Sequence, residues 1–175
     1  MDGEFDSRMV WVLPCPIIRN KSITFYYSGL NGDHNGRVDP ASPGGRPASQ
    51  SGVSAARLRL DGFVAVATPL HLANGMRAQG ELVTKPIIFD KGRVALELNV
   101  DAAAAGVLRV ELLHANSGLP VDGYSLRDAR PLVANSVAVR PQWEKPGSDV
   151  SKLHDVPLRL RFVMSGCKLY AFQFV

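Results

Sequence analysis

Leu158-Arg159-Leu160-Arg161-Phe162-Val163 and Leu169-Tyr170-Ala171-Phe172-Gln173-Phe174 place an apolar side chain at every second position. The same alternation runs through two earlier segments, residues 94–100 and 106–112. Because successive side chains of a strand point to opposite faces, this period buries one face and leaves the other in water. The pattern predicts an all-β protein, an antiparallel β-sandwich of the jelly-roll or concanavalin-like kind.

Turn-forming residues separate these strands. They fall at Asp61-Gly62, Asn74-Gly75, Lys91-Gly92 and Asp122-Gly123. The 175 residues include 12 prolines and 16 glycines, spread so that few uninterrupted windows could hold a helix. With 46% hydrophobic and 21% charged residues, the composition excludes an intrinsically disordered chain.

The N-terminal part differs from the rest of the chain. Residues 9–18 and 22–28 read as a hairpin that turns at residues 19–21, and residues 31–51, rich in glycine and proline, predict a long mobile loop. We therefore divide the chain into residues 1–52, a hairpin with its loop, and residues 53–175, the sandwich. Two strands alone are marginally stable in water, so we expect the hairpin to dock on the main body or on another chain.

Charge and hydropathy exclude two classes of partner. Lys and Arg number 20 against 16 Asp and Glu, a net charge of +4, but the basic residues are scattered and form no run of five. We therefore expect no nucleic acid. The apolar runs are shorter than the roughly 20 residues of a membrane helix, so we expect no membrane span. Asp2, Glu4 and Asp6 stand where a secretory signal would be basic, which favours a cytoplasmic protein.

Cysteine and histidine are sparse. Cys15 and Cys167 lack the spacing of a metal or redox motif, and the four histidines lie in separate segments. We predict no metal site and no cofactor. The two cysteines would approach each other if the terminal strands paired, although a cytosolic protein would keep them reduced.

No residue stands out as catalytic. The serines occur outside any Gly-x-Ser-x-Gly elbow. Glycoside hydrolysis needs two facing carboxyl groups, and the candidates Glu81, Glu97 and Glu111 lie in alternating strands where an outward, solvated placement is expected.

Sugar binding would require aromatic rings exposed to solvent and polar groups beside them. Trp143, with Tyr124 and Asp122, forms the candidate carbohydrate-binding set, because Trp143 precedes the turn-forming Pro146-Gly147. The alternative for Trp143 is a core residue that closes the sandwich.

The order of several segments resembles a known family, the β-fructosidase-like glycoside hydrolases with a five-bladed propeller and their uncharacterised relatives. The resemblance covers about residues 22–175 and corresponds to the last propeller strands followed by the C-terminal β-sandwich. The segments that carry it include Ile23-Thr24-Phe25-Tyr26-Tyr27-Ser28-Gly29, Leu60-Asp61-Gly62-Phe63, Gly106-Val107-Leu108-Arg109-Val110-Glu111-Leu112 and Leu169-Tyr170-Ala171-Phe172-Gln173-Phe174.

The resemblance implies an accessory domain rather than a catalyst, because the family's catalytic carboxylates belong to earlier propeller blades. Residues 1–52 would then be the remnant of a blade, and the face that met the propeller would lack its partner. We expect such a face to be covered by self-association into a homo-oligomer. Weak carbohydrate binding is a further expectation.

One alternative function belongs to a different class. The chain would be a small stand-alone glycan hydrolase, with a site near Asp33, His34 and Asp61 in a cleft. That hypothesis requires the three residues to converge in a concave pocket.

Overall fold

The computed structural model describes residues 4–32, 50–102 and 105–175, and the chain forms two compact units, Met1–Leu60 and Asp61–Val175. Every pairing between the described strands is antiparallel. The prediction of an all-β, sandwich-like fold preceded by a hairpin is confirmed. Of the predicted mobile loop, residues 33–49 lie outside the described residues.

The described residues of the first unit form a single sheet. Its strands are β1 (Met9–Val12), β2 (Ile17–Arg19), β3 (Ser22–Leu30) and β4 (Ser51–Arg59). The central strand is β3; β1 and β2 follow one another along one of its edges, and β4 pairs along the other.

The tight turn between β2 and β3 explains the predicted hairpin. Asn20 and Lys21 have φ angles of 51° and 60°, the left-handed pair that a two-residue hairpin turn requires. The division predicted at residue 52 falls inside β4, which pairs with β3 from end to end, and the units instead divide after Leu60. The reason is that β4 finds its hydrogen-bond partner in the hairpin.

The N-terminal segment packs over two glycines of this sheet. A Cβ at Gly29 would lie 2.5 Å from the Cβ of Asp6, and one at Gly52 would lie 2.8 Å from the Phe5 ring. The Tyr27 hydroxyl donates a hydrogen bond of 2.6 Å to the Asp6 carboxylate, and this bond raises the pKa of Tyr27. Glycine at both positions therefore lets the segment approach the backbone of the sheet.

In the second unit, the residues that the structure describes form two sheets. A three-stranded sheet has the order β6-β10-β8 and a four-stranded sheet the order β5-β11-β7-β9. The elements are β5 (Val66–Thr68), β6 (Gly80–Val83), β7 (Leu96–Asp101), β8 (Val107–His114), β9 (Asn135–Val139), the 3₁₀ helix η1 (Ser151–Leu153), β10 (Leu158–Ser165) and β11 (Cys167–Phe174).

The core of the second unit draws alternate residues from both sheets. Most of its deeply buried side chains come from β7, β8 and β10, and others, including a tryptophan, come from loops. They include Leu98, Val100, Leu108, Leu112, Leu160, Phe162 and Trp143, each no more than 1% exposed. Burial of this apolar surface is the main force that holds such a domain together.

One glycine connects the last strand of the three-stranded sheet to the last strand of the four-stranded sheet. Gly166 lies between the last residue of β10 and the first of β11 and has a φ of 56°, which favours glycine. A Cβ there would also lie 2.9 Å from the Leu70 side chain. The conformation of Gly166 lets two consecutive strands belong to two different sheets.

Candidate functional site

The outer face of the three-stranded sheet carries charged side chains. On β10, Leu160 and Phe162 point into the core, so Arg161 between them points outward. The register places Arg161 opposite Val83 of β6 and Glu111 of β8. The alternation that builds the core thus also aligns this arginine with carboxylates on both neighbouring strands.

Arg161 joins the two carboxylates. Its Nε and Nη2 donate to the two oxygens of Glu81 at 3.1 and 2.8 Å, a bidentate pair, and its Nη1 donates to Glu111 at 3.0 Å. Glu111 is 3% exposed, and its second oxygen accepts the backbone N–H of Leu126 at 2.9 Å. Three strands and the loop that contains Leu126 are therefore connected through one ionic network.

The network holds its exposed carboxylate in the ionised form. The hydrogen bonds from Arg161 lower the pKa of Glu81, and those to Glu81 and then Glu111 raise the pKa of Arg161. A glycosidase acid needs the opposite, a carboxyl group whose pKa is raised. Glu81 is therefore suited to ion pairing and not to proton donation.

The three glutamates expected to be solvated differ from one another in exposure. Glu81 is exposed as expected, and Glu97 lies half-buried beside Arg140 at 2.8 Å. Glu111 is buried, contrary to the expected solvated placement. The reason is that Leu126 donates its N–H to Glu111 from a loop that is distant in sequence.

A groove of about 350 Å³ lies on the same outer face. Its lining combines four apolar residues with three polar ones from β8, β10 and the segments around them: Val107, Leu126, Val163 and Met164, with Gln79, Arg109 and Ser165. Ser165 is 5% exposed, and its Oγ accepts a hydrogen bond of 3.1 Å from Arg77. Arg77 also donates to the carbonyl of Ala105 at 2.6 Å, so its guanidinium is held beside Ser165.

The aromatic residues predicted to bind sugar lie in the core. Trp143 is 1% exposed and its Nε1 donates to the Val110 carbonyl at 2.9 Å; Tyr124 is 8% exposed and its hydroxyl donates to the Asp149 carbonyl at 2.7 Å. The two rings meet edge to face at 5.1 Å. Asp122 is exposed. A sugar-stacking platform needs a ring face in solvent, and neither ring provides one because both lie in the core of the sandwich.

The residues of the alternative hydrolase site are not brought together in the described part of the chain. Asp33 and His34 lie outside the described residues. Asp61 is exposed and has a φ of 52°, in the turn that follows β4. Asp61 thus has a clear structural role as a turn residue.

Both cysteines are free thiols with contrasting environments. Cys15 is exposed between β1 and β2, whereas Cys167 is 1% exposed and burial raises its pKa to about 11. Because only the thiolate reacts, Cys167 should be inert at pH 8. We expect Ellman's reagent to modify one thiol per folded chain at pH 8 and two in 8 M urea. Two fast-reacting thiols in the folded protein would contradict the burial of Cys167, and none would indicate a disulfide.

The described residues contain no cluster of three or more His, Cys, Asp or Glu side chains that could hold a metal ion. In the same part of the chain, no helix has the length and apolarity needed to cross a membrane. Comparison of the whole sequence with protein-family models gave no match, and neither the curated proteins nor the solved structures contain a significant match.

Proposed function

We propose that this protein is a non-catalytic β-sandwich, related to the accessory domain of propeller glycoside hydrolases, that associates with a second copy of itself through its N-terminal sheet. The resemblance of residues 22–175 supports the relationship. The ionised, arginine-bound state of Glu81 supports a role other than glycoside hydrolysis. Carbohydrate binding is not part of the proposal, because Trp143 and Tyr124 have buried rings.

The observation that carries the proposal is an apolar face on the N-terminal sheet. The register aligns Trp11, Ser28 and Val53 in one row across β1, β3 and β4. The next row on the same face contains Tyr26, and Leu13 donates its backbone N–H to the Tyr26 carbonyl at 2.9 Å. We call the four apolar members the association face: Trp11, Leu13, Tyr26 and Val53, which are 44%, 56%, 42% and 77% exposed.

The described residues of the first unit form one sheet, and a sheet of this composition gains stability from a second layer. Among the described residues of the first unit, Ile23 is the one apolar side chain more than nine-tenths buried. Sheets become stable when one face packs against another layer of secondary structure. Contiguous exposed apolar surface of this kind is typical of protein–protein interfaces.

The distribution of charge on this face favours a second copy as the covering layer. The rows beyond Tyr26 contain Arg57 beside Ile17 and then Arg19, so the basic side chains of the face are confined to one end. A two-fold axis that runs across the strands brings two apolar ends together and directs the two basic ends away from each other. The face is then complementary to itself, as an isologous dimer requires.

A lysine within the association face should break the dimer. We expect the wild-type chain to elute as a dimer in size-exclusion chromatography with light scattering, with a Kd on the order of micromolar. Val53→Lys should raise that Kd at least about tenfold, because two like charges would meet in an apolar interface. Val53 is 77% exposed, so the substitution leaves the fold intact.

Val133→Lys is the matched control. Val133 is also an exposed valine, 58% accessible, but it lies outside the strands in the second unit. It should leave the Kd unchanged. A wild-type monomer at 100 µM would overturn the proposed association, as would a dimer that Val53→Lys and Val133→Lys affect equally.

A further inference from the structure

We propose that the groove on the outer face of the three-stranded sheet is a binding site for a small organic carboxylate attached to an apolar group. The groove belongs to the second unit, and the association face belongs to the first. The proposed ligand site therefore does not depend on the proposed dimer. Its volume, about 350 Å³, lies within the range of small-molecule sites.

The polar groups of the groove are mainly hydrogen-bond donors. The Arg109 guanidinium, the Gln79 amide and the Ser165 hydroxyl line it, and no carboxylate does. The Ser165 Oγ already accepts from Arg77, so its own proton is directed elsewhere. Within the described residues, that proton meets no acceptor. Donors without acceptors favour an oxyanion as the ligand.

Arg109 is the cation that remains available to such a ligand. Glu111 lies two residues further along β8 on the same face, but its oxygens are engaged by Arg161 and the Leu126 N–H. Both oxygens of Glu81 are engaged by Arg161 as well. In the described part of the chain, no hydrogen bond or ion pair engages the Arg109 guanidinium. The Arg161 network thus occupies the neighbouring carboxylates and leaves Arg109 to an external anion.

The walls of the groove determine the rest of the ligand. Val107 and Val163 form adjacent parts of the sheet surface, and Leu126 stands over them from the loop. Burying an apolar ligand body against apolar walls favours binding. The same walls cannot replace the water that an inorganic anion would lose on entering the groove. The combination of one arginine, two neutral donors and apolar walls therefore favours an aryl or short-chain carboxylate.

Titration of the ¹⁵N-labelled full chain with sodium benzoate at constant ionic strength tests the site. We expect saturable shifts of the Val107, Arg109 and Val163 amide resonances, with a Kd on the order of 1 mM for a ligand of this size. Benzyl alcohol lacks the charge and acetate lacks the ring, so each should bind at least about tenfold more weakly. Inorganic phosphate should be as weak as acetate.

Arg109→Gln keeps an exposed polar side chain and removes the cation, so it should weaken benzoate binding at least about tenfold. Arg93→Gln is the matched control, since Arg93 is also exposed but precedes β7 and does not line the groove. Absence of saturable shifts would overturn the inference. So would benzoate binding that Arg109→Gln leaves unchanged, or phosphate binding as tight as that of benzoate.

Discussion

Trp143→Ala should lower the free energy of unfolding of the sandwich unit by about 3–5 kcal/mol, a large part of the stability of a typical domain. The indole ring is 1% exposed and packs edge to face against Tyr124 at 5.1 Å. Its removal leaves a cavity among the side chains of both sheets. It also leaves the Val110 carbonyl without the 2.9 Å hydrogen bond that it accepts from Nε1.

That hydrogen bond satisfies a backbone carbonyl on the edge of β8 that does not pair with β10. On this edge, Leu108 exchanges backbone hydrogen bonds with Leu132, and Leu112 accepts from Val121. Val110 lies between these positions and receives its donor from the tryptophan side chain instead of a backbone group. Trp143→Phe keeps most of the ring volume but loses the donor, so it should cost a smaller amount, about 1–3 kcal/mol.

Urea titration with Cys167 as the reporter measures these differences. Cys167 is 1% exposed in the sandwich core, so its labelling by Ellman's reagent follows unfolding of that unit. Trp11→Ala is the matched control, because Trp11 is 44% exposed in the other unit. It should leave the urea midpoint of Cys167 labelling unchanged. Equal effects of Trp143→Ala and Trp11→Ala would contradict the central role of Trp143 in the core.

The periodicity of the sequence predicted the strands of the sandwich but not the faces of the last one. In β11, strict alternation places Leu169 on the face opposite Phe172 and Phe174. The structure packs all three against the core, because a bulge shifts the register between Leu169 and Ala171. An extra residue in one strand reverses the side-chain parity beyond it, and alternation alone cannot locate such a residue.

The features of the outer face depend on contacts between distant segments. Arg161 and Glu111 are 50 residues apart, and Glu81 is 80 residues from Arg161. The alternating pattern predicts that each points outward, yet the register that aligns them follows from the pairing of three strands. The burial of Glu111 further depends on the loop at Leu126. The sequence likewise leaves two roles open for Trp143, a sugar-binding platform and a core residue. The choice between them depends on contacts with segments that are distant in sequence.

Arg161→Met should destabilise the sandwich unit by about 2–4 kcal/mol at pH 7, less than a fully buried pair would lose because the arginine side chain is 31% exposed. The substitution leaves Glu111, 3% exposed, with the Leu126 N–H as its remaining partner. The double variant Arg161→Met/Glu111→Gln should recover about half of the loss. A neutral amide still accepts from Leu126 but avoids an uncompensated buried charge.

Arg140→Met provides the matched control for an ion pair on the other sheet. Arg140 binds Glu97 at 2.8 Å, the distance that also separates Arg161 from Glu81. Arg140 is 48% exposed, so its loss should cost less than about 1 kcal/mol of unfolding free energy. If Arg140→Met lowered the free energy of unfolding as much as Arg161→Met does, the burial of Glu111 would not contribute to the effect of Arg161→Met. Full stability of Arg161→Met itself would contradict the network.

The effect of Arg161→Met should depend on pH with a defined sign. Because Arg161 lowers the pKa of Glu81 below its ordinary 4.5, the pair stabilises the folded state above that pH. This stabilisation is lost as the pH falls through the lowered pKa, where the folded protein must take up a proton. The gap in unfolding free energy between wild type and Arg161→Met should therefore be larger at pH 7 than at pH 3. A gap that widens on acidification would contradict the pairing of Arg161 with an ionised carboxylate.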